Sequence, residues 1–265
     1  MINLCVALPA EARPLIHYFR LNHEQAHAAF PLYRNEHMAL VVSGPGKVAA
    51  AAATAWLAGL AGAGRPAAWL NIGIAGHATH AIGTGLMVNR ITDYASKRSW
   101  YPPQVHDLDL PASSLLCVDT PESDYSGDTL YEMEAGGFYP AACRFTTGEL
   151  VQCFKIVSDN KQQTCTHVNA KLCRQLLTDQ LGAVDLVVRA LQGLQQQYAD
   201  RHMPHPDHER MIGRWHFTVS QQHQLTRLLQ RWTTLAPGQP AWSSALNKLK
   251  TATAVLTHLE QQLDV

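Results

Sequence analysis

The stretch Ala67-Ala-Trp-Leu-Asn71-Ile-Gly73-Ile-Ala-Gly76 is a nearly continuous apolar run that ends in a glycine turn. Other short runs of aliphatic and β-branched residues occur at 2–8, 38–43, 86–94, 114–119 and 151–158. Continuous hydrophobicity, rather than alternation, is typical of strands that helices cover on both faces. Residues 45–61 and 131–145 have helical patterns. The sequence therefore predicts an α/β fold with a central mixed, largely parallel twisted sheet flanked by helices.

The chain changes character after Asp159, because apolar residues recur there at helical spacing and no further strand-like run follows. These residues form three apolar stripes, and the second begins after a possible helix cap at Ser220. The stripes are Val184, Val187, Leu191, Leu194 and Tyr198; then Leu225, Leu228, Leu229 and Trp232; and finally Trp242, Leu246, Leu249, Leu256, Leu259 and Leu263. We predict an α/β domain over residues 1–200 and a helical C-terminal extension over 201–265.

Composition excludes several classes of protein. The 21 basic side chains balance 21 acidic ones, so no broadly basic surface for nucleic acid is expected, and 46% apolar residues disfavour a disordered chain. The six cysteines form no C-x-x-C pair, which predicts reduced thiols and a cytoplasmic protein. The N-terminus lacks the pattern of a signal peptide. The longest apolar run, 48–64, is too rich in alanine and glycine to predict a membrane span.

Two patterns raise the question of a cofactor or a metal. Gly44-Pro-Gly46 follows a predicted strand and opens a predicted helix, but no acidic residue lies between Glu36 and Asp93 to hold a dinucleotide ribose. The turn therefore either lines a site or simply packs, and no cofactor is predicted. The histidines in His202-Met-Pro-His205-Pro-Asp-His208 are separated by prolines, whose extended geometry opposes convergence on one ion. We predict no metal.

Three acidic segments are candidates for chemistry. Glu132-Met133-Glu134 opens the predicted helix at 131–145, where acids either match the helix dipole or bind sugar hydroxyls. Asp159 ends an apolar strand, where burial would favour a retained proton, although capping a helix is the plain alternative. Glu11 follows the first strand and is either a base or a solvated helix start. Glycine turns at two strand ends indicate one shared crevice.

Taken together, five segments resemble the purine nucleoside phosphorylase and nucleosidase superfamily, most closely its 5′-methylthioadenosine/S-adenosylhomocysteine nucleosidase branch. The segments are Val6-Ala-Leu-Pro-Ala-Glu11, Ser43-Gly-Pro-Gly46-Lys-Val48, Asn71-Ile-Gly73-Ile-Ala-Gly76, Glu132-Met-Glu134-Ala135 and Ser158-Asp159. The resemblance covers about the first 160 residues. It implies a nucleoside phosphorylase-like fold and cleavage of an N-glycosidic bond through an oxocarbenium-like transition state.

The resemblance also implies a role for each matching residue. Asp159 would protonate N7 of the purine, with Ser158 orienting it. Glu134 would bind the ribose 2′- and 3′-hydroxyls, and Met133 would pack under the sugar. Glu11 would activate the attacking water. The predicted substrate-binding set is completed by Glu132, Gly73, Lys155 and Tyr125.

The chain departs from the pattern at several positions. Phosphorylases have a phosphate-binding arginine at the position of Asn71, so its absence favours water as the nucleophile. Ile74 replaces a usual serine, and Lys155 replaces an arginine near the nucleophile. The segment 93–131 is short, and Tyr125 is the candidate to replace the aromatic residue that stacks on the base.

The predicted function is therefore hydrolysis of a purine nucleoside, with adenine favoured as the base. A phosphate-dependent phosphorylase is the alternative enzyme, and a nucleoside-binding or scaffold protein with impaired catalysis is the alternative outside enzymes. The expected partner is a small-molecule nucleoside, with no nucleic acid and no membrane. A homo-oligomer is expected, with a dimer favoured.

Overall fold

The computed structural model describes residues 1–26, 29–61, 67–105, 108–202 and 205–263, apart from the side chains of residues 61, 201 and 202. It forms two compact units, Met1–Gln197 and Tyr198–Val265, and the boundary between them falls within a long helix. The proposed division into domains at residue 200 stays a prediction. No described helix is both long enough and apolar enough to cross a membrane.

The described residues of the first unit form ten strands and the helices between and after them. The strands are β1 Ile2–Val6, β2 Asn22–His23, β3 Leu32–Arg34, β4 Met38–Val42, β5 Ala68–His77, β6 Gly85–Asp93, β7 Ser99–Trp100, β8 Ala112–Cys117, β9 Leu130–Glu132 and β10 Val151–Asp159. The helices are α1 Pro9–Tyr18, α2 Lys47–Ala61, α3 Ala135–Ala142, α4 Ala170–Asp179 and α5 Leu181–His202, with 3-10 turns at Gly148–Leu150 and Cys165–His167.

The sheet is mixed, and it is parallel through its centre, where β4, β1, β5 and β10 run side by side. From β10 the sheet continues through antiparallel β6 to β8 and β9, and β9 pairs antiparallel with β5. These last pairings close β5, β10, β6, β8 and β9 into a ring. Strands β3 and β2 extend the opposite edge beyond β4, and β7 pairs with β6. The predicted α/β class with a mixed sheet is confirmed.

The central strands are buried at nearly every position because helices cover both of their faces. Cys5 and Val41 are register partners that belong to the core cluster beneath α2 and α3. Leu4 and Leu40 alternate with them, so their side chains point to the other face, and they are also fully buried. All nine residues of β10 are likewise buried, because the side chains on both faces of this strand are covered. The continuous hydrophobicity in the sequence thus had the predicted cause.

One predicted helix is partly wrong. The helical pattern at 131–145 begins in the structure as a strand, because Tyr131 of β9 pairs with Gly76 of β5. The helix α3 starts only at Ala135, and it ends at Ala142, two residues after Pro140, which cannot donate a backbone hydrogen bond. Glu132 therefore ends a strand, and the prediction that it opens the helix is wrong.

The second unit consists of α6 Asp207–Arg214, α7 Val219–Leu235 and α8 Ala252–Leu263, with a 3-10 turn at Ser244–Lys248. The cap of α7 is Thr218, whose side chain accepts the N–H of Gln221, and the predicted cap at Ser220 is wrong. The stripe predicted over 242–263 is broken, since only its second half forms α8. Apolar residues from all three helices form the core of this unit, among them Met211, Leu229 and Leu259.

Candidate active site

A cavity of about 410 Å³ opens at the carboxyl ends of the central parallel strands. Open α/β sheets collect ligands at this edge, because the turns that leave adjacent parallel strands meet there. Glu11, Glu134 and Asp159 all line this one cavity, although they lie far apart in the sequence. The cavity has the size of a typical small-molecule site. The shared crevice predicted from the glycine turns is therefore present.

Glu11 is fixed in the first turn of α1 by three backbone donors. The N–H groups of Ala7 and Leu8 donate to its Oε2 at 3.0 and 2.8 Å, and that of Ile74 on β5 donates to Oε1 at 3.0 Å. A glutamate at this third helical position commonly reaches back to the N-cap amide, which explains the contact with Leu8. Burial raises the pKa of Glu11 above its ordinary value, although these hydrogen bonds and Lys155 oppose the shift. It is a buried carboxyl group and not a solvated helix start.

Glu134 lies immediately before α3 and faces the cavity. Its Oε1 accepts the backbone N–H of Gly46, at 2.8 Å, from the turn between β4 and α2. Burial raises the pKa of Glu134 to about 7, and repulsion from Glu132 adds to this shift, whereas Lys155 opposes it. The turn at Gly44–Gly46, for which packing and a role in a site were both open, thus touches an acidic side chain of the cavity.

The starts of α2 and α3 approach each other closely around Gly137. A Cβ atom built on Gly137 would lie 1.8 Å from the carbonyl oxygen of Lys47, the first residue of α2. Only a glycine allows this approach without displacing the backbone. The contact fixes the turn that carries Gly46 beside the segment that carries Glu134.

Glu132 and Lys155 form a buried ion pair next to the cavity. Lys155 Nζ lies 2.9 Å from Oε2 of Glu132, and both side chains are at most 2% exposed. Glu132 also accepts the N–H groups of Glu134 and Ala135, so its carboxylate caps the start of α3. Burial lowers the pKa of Lys155, but the carboxylates of Glu132 and Glu134 more than offset this and hold it above its ordinary value. The lysine is therefore a fixed positive charge.

Gly73 lies on β5 directly beside these charges. A Cβ atom at this position would be 2.9 Å from Oε1 of Glu11 and 3.5 Å from Nζ of Lys155. Any side chain here would press on the carboxylate of Glu11. The absence of a side chain at Gly73 thus leaves room for the side chains of Glu11 and Lys155.

Asp159 ends β10, and both of its carboxyl oxygens accept hydroxyl groups. Oδ1 accepts a short hydrogen bond from Oγ of Ser158, and Oδ2 accepts one from the hydroxyl of Tyr125. Burial raises the pKa of Tyr125, and the adjacent carboxylate of Asp159 raises it further, so the phenol keeps its proton and donates. The orienting role that the resemblance implied for Ser158 stays a prediction.

Tyr125 lines the cavity, but its contacts differ from those expected of a residue that stacks on a base. Its ring lies against Gly76 and 5.3 Å from the ring of Tyr131, while its hydroxyl is bonded to Asp159. Met133 also lines the cavity and packs against the same aromatic cluster. Stacking on a base by Tyr125 and packing under a sugar by Met133 stay predictions.

Sequence reasoning missed the backbone donors of the site. The amides of Ile74 and Gly46 hold Glu11 and Glu134, and nothing in their side chains signals this. It also missed Val168, which lines the cavity nine residues after Asp159. No group of three or more side chains that could hold a metal ion occurs among the described residues. The side chain of His202, one of three histidines considered for such a site, lies outside them.

Comparisons with known proteins find similarity in structure alone. No protein-family model matches the chain, and no curated protein matches its sequence. Among solved structures, the 5′-methylthioadenosine nucleosidase of Arabidopsis thaliana matches with a TM-score of 0.61 at 17% identity, over 72% of this chain and 96% of that one.

Two bacterial structures give the same result. The futalosine hydrolase of Helicobacter pylori strain 26695 has a TM-score of 0.57 at 15% identity, over 71% of this chain and 97% of its own. The 5′-methylthioadenosine/S-adenosylhomocysteine nucleosidase of S. pneumoniae has a TM-score of 0.56 at 18% identity, over 73% of this chain and 99% of its own. The chain therefore has the nucleoside phosphorylase-like fold of these neighbours, and it is longer than they are.

Proposed function

We propose that this chain, with its nucleosidase-type fold, hydrolyses the N-glycosidic bond of a purine nucleoside. The observation that carries the proposal is the convergence of Glu11, Glu134 and Asp159 on one cavity. Cleavage of this bond leaves positive charge on the ribose and negative charge on the departing base. Two carboxylates near the sugar and a proton donor near the base meet both requirements.

Asp159 is the proposed acid for the base. It lies at the end of β10 with Ser158 bonded to Oδ1, which leaves Oδ2 to face the purine. Asp159 would first take up a proton from water on this oxygen, and passing that proton to N7 makes the base a neutral leaving group. Because the hydroxyl of Tyr125 now bonds to Oδ2, N7 has to displace that hydroxyl to reach the acid. We infer that Tyr125 gives up this hydrogen bond when the base binds.

Glu134 is the proposed ligand of the 2′- and 3′-hydroxyls, which a single carboxylate can accept as a pair. Its negative charge also lies close to the developing oxocarbenium ion. Glu11, on the Ile74 side of the cavity, is the proposed base for the attacking water. Its raised pKa increases its affinity for the proton that water loses. Lys155 and Glu132 neutralise each other and hold α3 in place.

Water is favoured over phosphate by the charges that line the cavity. The cavity is lined by Glu11, Glu122, Glu132, Glu134 and Asp159, and by no described lysine or arginine. The nearby Lys155 is paired with Glu132. Asn71, at the position where the resemblance places a phosphate-binding arginine, is buried and donates to the carbonyl of Cys5. A phosphate dianion in this cavity would be repelled.

Several finer features belong to the same proposal. We propose adenine as the base, because the resemblance places an aspartate and not an asparagine opposite N7. The localisation we propose is the cytoplasm, which agrees with the free state of all six cysteines. The proposed assembly is a homo-oligomer, with a dimer favoured.

The test is release of the free base from adenosine and from 5′-methylthioadenosine, with and without phosphate. We expect base and free sugar without phosphate. Replacement Asp159→Asn should lower turnover by about 10²- to 10⁴-fold, while the circular dichroism spectrum stays that of the parent. Tyr139→Phe, a buried tyrosine outside the cavity, is the control.

Three results would contradict the proposal in different ways. Base release that requires phosphate and yields ribose 1-phosphate would identify a phosphorylase. An Asp159→Asn protein with near-parental turnover would remove Asp159 from its role. Tight binding of adenosine analogues with no turnover would identify a nucleoside-binding protein, which is the alternative that the replacements at Ile74 and Lys155 suggest.

A further inference from the structure

Lys47, the first residue of α2, binds two acidic side chains that come from other parts of the sheet. Its Nζ lies 2.5 Å from Oδ1 of Asp93, the last residue of β6, and 2.8 Å from Oδ1 of Asp119, which follows the end of β8. The proposed function gives these three side chains no role, and none of them lines the cavity. Any effect of this charged cluster on the reaction therefore has to pass through the backbone segments that it joins.

Asp93 is the fixed member of the cluster. It is buried, and its Oδ2 accepts the backbone N–H of Ser96 at 2.9 Å and also the hydroxyl of that residue. Burial raises the pKa of Asp93, but the hydrogen bonds from Lys47 and Ser96 outweigh this and lower the pKa to about 2. Hydrogen bonds to Asp119 and Asp93 raise the pKa of Lys47 above its ordinary value. The pair of Lys47 and Asp93 therefore stays charged across the neutral pH range.

The backbone next to the side chain of Lys47 touches the segment that carries Glu134. The preceding residue, Gly46, donates its N–H to Oε1 of Glu134 at 2.8 Å. Gly44 and Gly46 both have positive φ, and glycines lose more conformational freedom on ordering than other residues do. The turn therefore needs contacts outside itself to stay in place. Lys47 supplies such a contact one residue away from the hydrogen bond to Glu134.

Asp119 is the exposed member of the cluster. It follows Val118, which lines the cavity and whose N–H donates to the carbonyl of Glu132 at 2.8 Å. An exposed ion pair contributes little stability by itself. We therefore expect Asp93 to provide most of the anchoring of Lys47, and Asp119 to add to it.

We propose that Lys47 is a positioning residue for Glu134. Its ion pairs with Asp93 and Asp119 fix the turn between β4 and α2, and they thereby hold the amide of Gly46 against the carboxylate of Glu134. This inference rests on the proposed function, because that function makes this carboxylate the ligand of the ribose hydroxyls. Lys47 acts through the turn and has no contact with the nucleoside.

The pKa of Glu134 should respond when the anchor is removed. Burial and repulsion from Glu132 and Glu11 raise this pKa, whereas Lys155 and the N–H of Gly46 lower it. Loss of the contact with Gly46 should therefore raise it further, by about 0.5 to 1 pH unit for a single hydrogen bond. KM for adenosine at pH 7 should then rise about two- to fivefold, because a smaller fraction of Glu134 is ionised.

Two variants that change the local charge in opposite directions test the proposal. Lys47→Met removes a positive charge, and the double replacement Asp93→Asn and Asp119→Asn removes two negative charges. Charge that acts through space alone would raise the pKa of Glu134 in the first variant and lower it in the second. Loss of the anchor raises it in both. We expect the acidic limb of the pH profile of KM to move to higher pH in both variants.

The pKa of Glu134 can also be measured without substrate, by NMR titration of protein with ¹³C-labelled glutamate side chains. The signal of Glu134 is the one that is missing from Glu134→Gln. Lys97→Met is the control, because Lys97 is exposed four residues after Asp93 and its amine lies 3.9 Å from the ring centre of Tyr94. The control should keep the parental pKa and the parental KM.

Two outcomes would overturn the proposal while leaving hydrolysis intact. Opposite responses of the two variants would assign the cluster an effect through space only. Parental values in both variants would show that the turn stays in place without the anchor. If Lys47→Met does not fold, as judged by circular dichroism, the sign of the change in the double variant decides alone.

Failure of the proposed function gives a separate signature, which is no base release from the parent or from any variant. The NMR titration then decides the inference, because it needs no turnover. A higher pKa of Glu134 in both variants supports it, and a lower or unchanged pKa in the double variant refutes it.

Discussion

Charged side chains are buried in the unit Met1–Gln197 but, among the described residues, not in the unit Tyr198–Val265. The first unit buries Glu11, Asp93, Glu132, Glu134, Lys155 and Asp159. The core of the second consists of apolar side chains from α6, α7, α8 and the segments between them. Burying charge costs free energy, whereas burying apolar surface supplies it. The comparison indicates that the first unit gives up stability to place acids in its cavity, while the second is built for stability.

Among the replacements that test this difference between the two units, Lys155→Met should have the largest effect on stability. The replacement removes the cation that faces Glu132, and it leaves that carboxylate and those of Glu11 and Glu134 in a site with little solvent. We expect the free energy of unfolding to fall by about 3 to 5 kcal/mol, measured by urea denaturation. Adding Glu132→Gln to the same protein should recover part of the loss. If the single replacement is neutral, the buried charge is not what costs stability here.

In the second unit, Leu259→Ala should weaken a core that contains no charge. Leu259 is fully buried, and the cavity left by truncating a leucine costs about 2 to 5 kcal/mol. We expect calorimetry to show this loss in the unfolding of residues 198–265, with base release at 20 °C unchanged. Leu235→Ala, at an exposed position of α7, should change neither measurement. A fall in kcat with Leu259→Ala would show that the second unit serves the reaction.

The pH dependence of substrate binding should expose the charge of Glu134. Its pKa near 7 means that the carboxylate, which is the proposed acceptor of the ribose hydroxyls, gains a proton as the pH falls below that value. The groups that surround it are Glu132, Glu11, Lys155 and the amide of Gly46. KM for a riboside should therefore rise by up to about tenfold per pH unit on the acidic side. Glu134→Gln should flatten this limb, and a limb that persists in the variant would assign it to another group.

The smallest expected effect is that of Tyr125→Phe. If the purine binds Oδ2 of Asp159 as proposed, loss of the hydroxyl removes its competitor there, so free adenine should bind several-fold more tightly. Isothermal titration calorimetry with adenine measures this change, and Tyr139→Phe is again the control. Weaker binding of adenine by Tyr125→Phe would mean that the tyrosine holds Asp159 in place for the base.

The sequence was sufficient to predict those elements of the fold whose residue pattern has a local cause. The six strands of five or more residues were predicted from largely apolar runs, which in the central strands reflect helices on both sheet faces. The short strands β2, β3, β7 and β9 have two or three residues and no such run, so nothing marked them. Tyr131 was assigned to a helix because its pairing with Gly76 joins segments 55 positions apart. The secondary-structure propensity of a segment carries no information about contacts between residues so far apart in the sequence.

The site shows the same division. Its acids were found because they lie at strand ends and because they match the motifs of a known superfamily. Their environments were not found, since the bond between Tyr125 and Asp159 and that between Gly46 and Glu134 depend on the folded chain.

Gly137 has a consequence for how such sites can diverge. Since even one methyl group there would collide with the first peptide of α2, an alanine at this position has to be accompanied by a displacement of that helix. The displacement would carry the amide of Gly46 away from Glu134. A relative that has lost this glycine is therefore expected to hold the carboxylate at position 134 by other contacts, so position 137 marks whether the arrangement of Gly46 and Glu134 is kept in sequences with this fold.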